Sequence, residues 1–443
     1  MARGGEPLMP CHPARARELL AKGRAVVARH APFTIRLKDR TRVGSAVDGV
    51  QLRIDPGSHG TGIALTDTKA ESTPAGKPVT VRRGLVSIEL LHRGPRIRRA
   101  LRQRAGYRHR RRSANCRYRA PRSLNRTRRQ GWLPPSVQHR VDTTVAIARR
   151  LSRYAPITEI HVEAVAFDTH ALSVGRGLTG AEYRNGTLAG TEVRAHLLAT
   201  HGRACAYCGA TGVPLNIDHI RPRSHAGSSR VSNLTLACVP CNQAKGSRPV
   251  EEFLAHRPDR LATIRAQLKA PLRDAAVMNA TRQLLVAALA TLGRPVRTWS
   301  GAHTQWNRTV TGLPKTHTLD ALSIGELDHE ARPATVRVAV QVQLITATGR
   351  GSYARTTPNR YGFPRLLRTR RKRHYGFATG DLVRASIPRG KGAGTWTGRL
   401  AVRASGKHSL STPSGLCGVS HRYLDLLQRG DGYTYGYRRE AVE

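Results

Sequence analysis

Apolar and polar residues alternate over several short stretches near the start of the chain, and this alternation predicts strands. Residues 51–65 (QLRIDPGSHGTGIAL) predict a strand, a glycine-rich turn and a second strand. Residues 84–91 (GLVSIELL) predict a third strand, and Phe33–Leu37 a shorter one before them. An arginine-bearing helical pattern ends near Gly23, so this part of the chain is predicted to be mainly β with one helix.

The rest of the chain mixes helical and strand patterns. Helices are predicted over residues 141–154, 261–292 and 318–327, and strands over residues 159–165 and 296–299. Residues 175–190 are rich in glycine and typical of a linker. After Arg332 the pattern is β-rich, with a basic run at residues 365–373. At about 150 residues per domain, 443 residues suggest about three domains of mixed α/β structure.

Positive charge dominates the composition. The chain holds 75 Lys and Arg against 28 Asp and Glu, a formal net charge of +47 at pH 7. It has no run of about 18 apolar residues that would cross a membrane, and no apolar stretch of a secretory signal behind its first residues. A polyanion neutralises such charge, and arginine binds phosphate through two parallel N–H groups. The composition therefore predicts a nucleic-acid partner.

The densest positive charge lies in residues 93–129, which contain 16 arginines. No acidic residue occurs between Leu90 and Val141 to offset it. Residues 93–112 are good helix formers, so they predict a long basic helix that binds phosphate. The predicted nucleic-acid ligands on this helix are Arg93, Arg96, Arg98, Arg99, Arg102, Arg104, Arg108, Arg110, Arg111 and Arg112.

Four of the seven cysteines form two C-x-x-C pairs that are separated by 29 residues. They are Cys205, Cys208, Cys238 and Cys241. An odd number of cysteines in a large chain argues against a secreted disulfide scaffold. Two such pairs at this spacing favour a closed tetrahedral Zn²⁺ site with a structural role. That feature alone would also suit a zinc-ribbon binding module.

The residues around these cysteines point to a nuclease. Asp218 and His219 lie between the pairs, Asn233 follows 14 residues after His219, and Asn242 and Lys245 come later. This arrangement resembles the HNH nuclease family, with its ββα-metal site around one divalent ion. The resemblance implies that His219 is the general base and that Asn233 orients its ring. It further implies that Asp218 and Asn242 hold Mg²⁺.

A second set of acidic residues is dispersed along the chain. Asp55 ends an apolar strand before a glycine turn, Glu163 lies in a strand, and His317 and Asp320 lie three apart at a helix start. Taken singly, each of these residues is typical of an ordinary turn, strand or helix cap. In this order they resemble the RuvC nuclease family, with its RNase H-like fold. The resemblance implies that Asp55, Glu163 and Asp320 hold Mg²⁺, and that His317 activates water or positions the phosphate.

The order of these pieces resembles the IscB family of transposon-associated, RNA-guided nucleases, relatives of the CRISPR effector nucleases. The PLMP motif at Pro7–Pro10 is the one that names the family's N-terminal domain. The implied fold is an α/β multidomain chain whose RNase H-like RuvC core is split in three. An Arg-rich bridge helix and a zinc-containing ββα-metal HNH domain interrupt that core, and a β-rich domain follows. The implied divisions are 1–44 (PLMP), 45–91 (RuvC one), 92–130 (bridge helix), 131–175 (RuvC two), 176–260 (HNH with linkers), 261–330 (RuvC three) and 331–443 (C-terminal).

The same resemblance implies the activity and the partners. The HNH site would cut the guide-paired DNA strand and the RuvC site the displaced strand, both with Mg²⁺. The partners would be a structured guide RNA (omega RNA) and double-stranded DNA, bound by a monomeric ribonucleoprotein in the prokaryotic cytoplasm at the nucleoid. The basic helix and the C-terminal domain would contact the nucleic acids, with Tyr107 and Tyr118 as secondary stacking residues.

Two other hypotheses fit the same residues. The first is an RNA-independent endonuclease, homing or structure-specific, with the same two sites. The second is a zinc-containing RNA-binding protein whose nuclease sites have decayed, which the intact acidic and histidine residues argue against. Structured RNA that co-purifies with the protein would favour the RNA-guided or the RNA-binding hypothesis, and protein free of RNA would favour the first alternative.

Overall fold

The structure is a computed structural model that describes residues 1–116 apart from 46, 48, 58 and 74, and residues 133–164, 197–198, 201–227 apart from 226, 233–269, 273–329, 335–349, 358–366, 371–412 apart from 391, and 415–440. Tyr118, the glycine-rich residues 175–190 and part of the basic run at 365–373 lie outside the described residues. The chain divides into two compact units. The first contains Met1–Val162, Leu284–Arg297 and Arg308–Glu443, and the second contains Glu163–Gln283 and Thr298–Asn307.

Mixed α and β structure covers the described residues. In chain order, their α-helices are α1 (Pro13–Ala21), α2 (Gly94–Ser113), α3 (Pro135–Leu151), α4 (Val239–Lys245), α5 (Val250–Phe253), α6 (Pro258–Lys269), α7 (Arg273–Ala290), α8 (Gly301–Val310) and α9 (His317–Ser323). Their strands are β1 (Ala25–His30), β2 (Phe33–Leu37), β3 (Val50–Pro56), β4 (Gly60–Ser72), β5 (Pro78–Leu91), β6 (Ile157–Glu163), β7 (Leu215–His219), β8 (Leu234–Cys238), β9 (Val296–Trp299), β10 (Val336–Arg337), β11 (Gln341–Ala347), β12 (Arg373–His374), β13 (Phe377–Ala378), β14 (Leu382–Ile387), β15 (Gly394–Ala401), β16 (Lys407–Thr412), β17 (Gly415–Ser420), β18 (Leu424–Gln428) and β19 (Tyr433–Arg439).

An eight-stranded mixed sheet forms the core of the first unit. Its strand order is β19-β11-β5-β4-β3-β6-β9, and β10 pairs with β5. Strands β3, β4 and β5 are antiparallel, whereas β6 runs parallel to β3 and β11 runs parallel to β5. The alternating pattern that predicted the strands around Asp55 is therefore confirmed, and β5 begins at Pro78, earlier than the predicted Gly84.

Helices pack on both faces of this sheet. Ile63 and Leu65 of β4 join a buried cluster with Ile147 of α3, whereas Ala64 between them joins a cluster with Leu319 of α9. Because successive strand residues point to opposite faces, α9 and α3 lie on opposite faces of the sheet. Helix α9 thus covers the part of the sheet where β3 and β4 begin their hairpin turn.

Helix α9 ends at Ser323, four residues before the end that the sequence pattern predicts. Gly325 adopts φ +90°, a backbone conformation that ends a helix and suits glycine. Arg82 Nη1 donates to the carbonyls of Leu322 and Ile324 at 2.9 and 2.8 Å. The predicted helix is therefore too long. The buried Arg82 of β5 donates to carbonyls that the backbone N–H groups of further helical residues would otherwise bind.

The β-rich pattern after Arg332 is also confirmed. A five-stranded sheet of order β17-β16-β15-β14-β18 encloses a small core that includes Val383, Leu400 and Leu410. Strand β19 then returns to the large sheet, where it pairs antiparallel with β11. At the other end of the chain, α1 packs beside the β1–β2 hairpin.

The basic segment forms a helix as predicted, but only Gly94 of α2 is buried. Arginines such as Arg99, Arg102 and Arg110 are exposed. The helix packs against α3, and the Arg111 guanidinium lies 4.9 Å from the centre of the Phe363 ring. Residues 117–129 of the arginine-rich segment lie outside the described residues.

The second unit contains a compact ββα arrangement. Strands β7 and β8 pair antiparallel, and α4 begins directly after β8. Tyr207, Leu236 and Leu254 belong to its buried core. The prediction of a multidomain chain of mixed α/β structure is confirmed. Among the described residues, no helix is long and apolar enough to cross a membrane.

Candidate functional site

Two separate groups of acidic and histidine side chains lie at strand ends, one in each compact unit. The first lies in the ββα arrangement, where β7 ends in Asp218 and His219 and pairs with Thr235 and Leu234 of β8. Helix α4 carries Asn242 and Lys245, three residues apart and so on one side of the helix. The hairpin and the helix thus bring together residues that the sequence separates.

Asp218 is held by three donors. Its Oδ2 accepts hydrogen bonds from the Tyr207 hydroxyl at 2.6 Å and from Lys245 Nζ at 3.0 Å, and its Oδ1 accepts one from the His219 amide at 2.8 Å. Burial and the Asp218 charge raise the pKa of Tyr207, so the phenol stays a donor. Lys245 is 1 % exposed and also donates to the His219 carbonyl at 2.8 Å. The lysine therefore fixes both Asp218 and the backbone of His219.

The surroundings of His219 favour its neutral form. Its Nε2 accepts a hydrogen bond from Arg223 Nε at 3.2 Å. Burial lowers the pKa of His219, and the positive charges of Arg223 and Lys245 lower it further. The ring is therefore neutral near pH 7 with its lone pair on Nε2, the nitrogen that can take a proton.

Asn233 and Asn242 support the same segment from different elements. The Asn233 side chain accepts from the Arg221 amide at 2.8 Å and donates to the Arg221 carbonyl at 2.9 Å. It therefore fixes the backbone that leaves His219, while its predicted role in orienting the His219 ring stays a prediction. Asn242 is half-buried on α4, and its role as a metal ligand likewise stays a prediction.

The four cysteines of the two C-x-x-C pairs meet in space. Their sulfur atoms all lie within 4.8 Å of one another, and the Sγ atoms of Cys208 and Cys238 are 3.7 Å apart. Cys205 Sγ accepts the Cys238 amide at 3.3 Å. Burial raises the pKa of Cys205, but N–H donation from Cys208, Cys238 and Tyr207 outweighs it and lowers the pKa to about 7. Four converging thiols fit Zn²⁺, which such sites bind tetrahedrally.

The second group lies in the first unit, at the ends of β3 and α9. Asp55 is 6 % exposed, and its Oδ2 is 2.7 Å from Nδ1 of His317. The hydrogen bond with Asp55 raises the pKa of His317, against the opposing effect of its burial. His317 is the first residue of α9, and the preceding Thr316 caps the helix by accepting the Leu319 amide at 3.1 Å.

Asp320 lies one turn into α9. Burial and the nearby charge of Asp55 raise the pKa of Asp320 to about 6. Arg308 Nε lies 2.8 Å from Asp320 Oδ1 and offsets part of that repulsion. The charge of Asp55 thus disfavours a charged Asp320, and a divalent cation bound nearby would relieve that repulsion, since such cations prefer carboxylate oxygens.

Two glycines of the predicted turn, Gly57 and Gly62, leave space for His317 to lie close to the strand. A Cβ at Gly62 would lie 1.7 Å from the His317 carbonyl oxygen, and a Cβ at Gly57 would lie 2.6 Å from Cε1 of its ring. Gly62 is the direct strand partner of Asp55. The glycines therefore let the start of α9 approach the strand that carries the acid.

Glu163, the third predicted acid, belongs to the second unit. It ends β6, and its Oε1 accepts from Arg282 Nη2 at 3.0 Å. The preceding residue, Val162, pairs with Ile54 of β3. The prediction that Glu163 completes the Asp55 and Asp320 group stays a prediction.

Sequence reasoning missed three supporting residues. Tyr207 lies inside the first C-x-x-C pair, and that position is a signal that could have found it. Arg308 precedes His317 by nine residues and Glu440 follows it by 123, and no local motif marks either one.

Family comparisons agree with this geometry. Residues 1–186 match the family described as RRXRR protein, and residues 205–248 match the family described as HNH endonuclease. The second match spans both cysteine pairs together with His219 and Asn242. The predicted HNH endonuclease domain is therefore confirmed. No curated protein sequence gives a significant match to the chain.

Solved structures of Cas9 are also similar to parts of the chain. One is Streptococcus thermophilus Cas9 in complex with the GGAA PAM, with 14 % identity, a TM-score of 0.24, and coverage of 61 % of this chain and 32 % of that one. Another is the type II-C Cas9 of Actinomyces naeslundii, with 18 % identity, a TM-score of 0.16, and coverage of 45 % and 29 %. The chain thus spans about a third of the length of these proteins. The two family matches support an IscB- and Cas9-like family of HNH nucleases.

Proposed function

We propose that the protein is an RNA-guided DNA endonuclease with two sites, one for each DNA strand. The observation that carries the proposal is the presence of two separate acid–histidine groups on one chain with a net charge of +47. In this proposal the HNH site cuts the guide-paired strand, and the group at Asp55 and His317 is a RuvC-like site that cuts the displaced strand. The predicted domain divisions, the monomeric ribonucleoprotein and its location at the nucleoid belong to the same proposal.

At the HNH site, His219 would act as the general base. Its neutral ring takes the proton of the attacking water at Nε2. Arg223 Nε donates a hydrogen bond to that nitrogen at 3.2 Å, and this bond must break before the nitrogen takes a proton. The guanidinium of Arg223 is then free to bind the scissile phosphate. Lys245 holds the Asp218 carboxylate and the His219 carbonyl throughout, because it is buried and bonded to both groups.

At the RuvC-like site, His317 would position the phosphate or accept the proton of water. Its hydrogen bond to Asp55 orients the ring and raises the pKa of the ring, which strengthens the neutral ring as a base. Arg308 holds Asp320 at the other side of the helix turn. Mg²⁺ would stabilise the charge that develops on the phosphate, and its ligands would be Asp55, Glu163 and Asp320 here and Asp218 and Asn242 in the HNH site.

Helix α2 would contact the backbones of the guide RNA and its DNA heteroduplex. Replacing the exposed Arg99, Arg102 and Arg110 with Ala should weaken binding about equally for unrelated guides, since phosphates carry no sequence. If all three contact phosphate, the log–log salt slope should become shallower by roughly two to three units.

The measurement is binding at several salt concentrations with two unrelated guides. A matched variant removes three exposed arginines elsewhere, Arg36, Arg40 and Arg42. An unchanged slope for the α2 variant, or a slope change equal to that of the matched variant, would show that α2 makes no special phosphate contacts. A loss confined to one guide would show contacts with bases.

Gly62→Ala should remove the displaced-strand cut and leave the other cut intact. The new Cβ would lie 1.7 Å from the His317 carbonyl, so the start of α9 must move away from Asp55. A displacement of about 1 Å at a catalytic group costs on the order of 100-fold in rate. Strand-specific labels report the two cuts separately.

Gly60→Ala is the matched control, because its Cβ meets neighbours at an ordinary 3.4 Å or more. Equal displaced-strand cutting by both glycine variants would contradict the proposed geometry of His317 and Asp55.

The proposed RNA partner is tested by the nucleic acid that the protein retains on purification. We expect a discrete structured RNA whose sequencing reads map beside the gene. Protein that is free of RNA yet cuts DNA would instead support the RNA-independent endonuclease. Bound RNA without any cutting would support the decayed RNA-binding protein.

A further inference from the structure

Helix α9 carries two of the proposed RuvC-like residues, His317 and Asp320, and is very short. It has only 7 residues, from His317 to Ser323. Helices shorter than about 12 residues are not stable alone in water, so tertiary anchors must hold this one. The positions of His317 and Asp320 therefore depend on what binds the two ends of α9.

Buried arginines hold the carboxyl end. Arg82 donates to the carbonyls of Leu322 and Ile324, and Arg53 also donates to that of Ile324. Both side chains lie in the interior, at 4 % and 2 % exposure. Positive charge at this end complements the helix dipole.

A buried acid holds the amino end. Glu440 has a fully buried side chain and accepts hydrogen bonds from the hydroxyls of Thr316 and Thr318, the former at 3.3 Å. Thr316 is the N-cap of α9, and Thr318 follows His317. Negative charge at this end also complements the dipole. Glu440 thus binds the residues on either side of His317.

Glu440 comes from a remote part of the chain. It directly follows β19, which pairs with β11 at the edge of the large sheet. Arg438 in β19 binds Glu440 Oε1 and Glu89 Oε2, each at 3.0 Å. The buried carboxylate therefore has a counter-charge, and β5 and β19 together fix its position.

We infer that Glu440 is a positioning residue for the RuvC-like site, which sets the start of α9 so that His317 meets Asp55. The inference rests on the proposed function of that site. Glu440 acts through Thr316 and Thr318, and it has no part in the chemistry. The pairing of β19 with the large sheet and nuclease activity at the Asp55 site are thereby coupled. The HNH residues belong to the other compact unit.

The test is the rate of each strand cut by Glu440→Gln in the complete RNA-loaded protein. The amide keeps the size of the side chain but removes the charge, and it can accept hydrogen bonds at only one of its two ends. We expect the displaced-strand cut to slow by on the order of 10-fold or more, with the guide-paired cut and DNA binding unchanged. Glu440→Ala should slow the same cut further, because it removes both acceptors.

Asp425→Asn is the matched control, since it makes the same acid-to-amide change at an exposed position of β18. Asp55→Ala is the reference for the proposed function. If Asp55→Ala keeps the displaced-strand cut, the proposed site is wrong. If Asp55→Ala loses it while Glu440→Gln cuts both strands at the wild-type rate, the positioning role is overturned. An equal slowing of both cuts by Glu440→Gln would also overturn it, because a general loss of folding affects both.

Discussion

His219→Ala is expected to abolish cutting of the guide-paired strand and to leave the nick in the displaced strand. The variant removes the nitrogen that takes the proton of water, and a general base contributes roughly 100- to 10,000-fold to the rate. Asp55→Ala should do the reverse, because it removes a carboxylate and the hydrogen-bond partner of His317. The two sites use different residues, so each should survive the loss of the other.

Strand-specific end labels on one DNA substrate measure both cuts in the same reaction. His225→Ala is the matched control for the HNH site, because His225 is an exposed histidine six residues away. Loss of both cuts in either variant, while the protein stays folded and bound to DNA, would contradict independent sites. Retention of both cuts in His219→Ala would show that another residue is the base.

Cys238→Ser should unfold the ββα arrangement and stop the guide-paired cut while the displaced-strand nick survives. Closed thiolate sites contribute about 10–16 kcal/mol of apparent binding energy at pH 7, and this energy is coupled to folding. A whole domain is stable by only about 5–15 kcal/mol. Cys238 also ends β8 and is buried in the local core, so loss of the metal releases the residues that hold His219.

Cys116→Ser is the control, because it changes an exposed thiol outside the cluster. The measurements are zinc content, thermal unfolding and the two strand cuts. A Cys238→Ser protein that loses zinc and still cuts the guide-paired strand would show that the four thiols have no structural role. A Cys238→Ser protein that keeps its zinc would show that Cys238 is not required as a ligand.

Local patterns in the sequence predicted the parts of the structure that are set by local interactions. The alternation around Asp55 and its glycine turn predicted the β3–β4 hairpin, because pleat and turn conformation are local properties. The cysteine spacing likewise predicted a cluster, which the structure brings within 4.8 Å. The roles of these residues came from family resemblance rather than from the patterns.

Long-range contacts account for what the sequence did not predict. The end of α9 depends on Arg53 and Arg82 from two strands, and its start depends on Glu440, which follows His317 by more than a hundred residues. None of these pairs has a periodic signature, since each joins α9 to a residue that is remote in the sequence. The described residues within the single helix predicted over residues 261–292 belong to two helices, α6 and α7.

In the proposed function, a bound RNA directs where the protein cuts DNA. The most direct test loads the protein with its own RNA in which only the guide segment is replaced, and maps both cuts on a plasmid that carries both target sequences. We expect both cuts to move to the sequence that pairs with the new guide, and we expect protein without RNA to cut neither target. Cuts that stay at one place with either guide, or that occur without RNA, would contradict it.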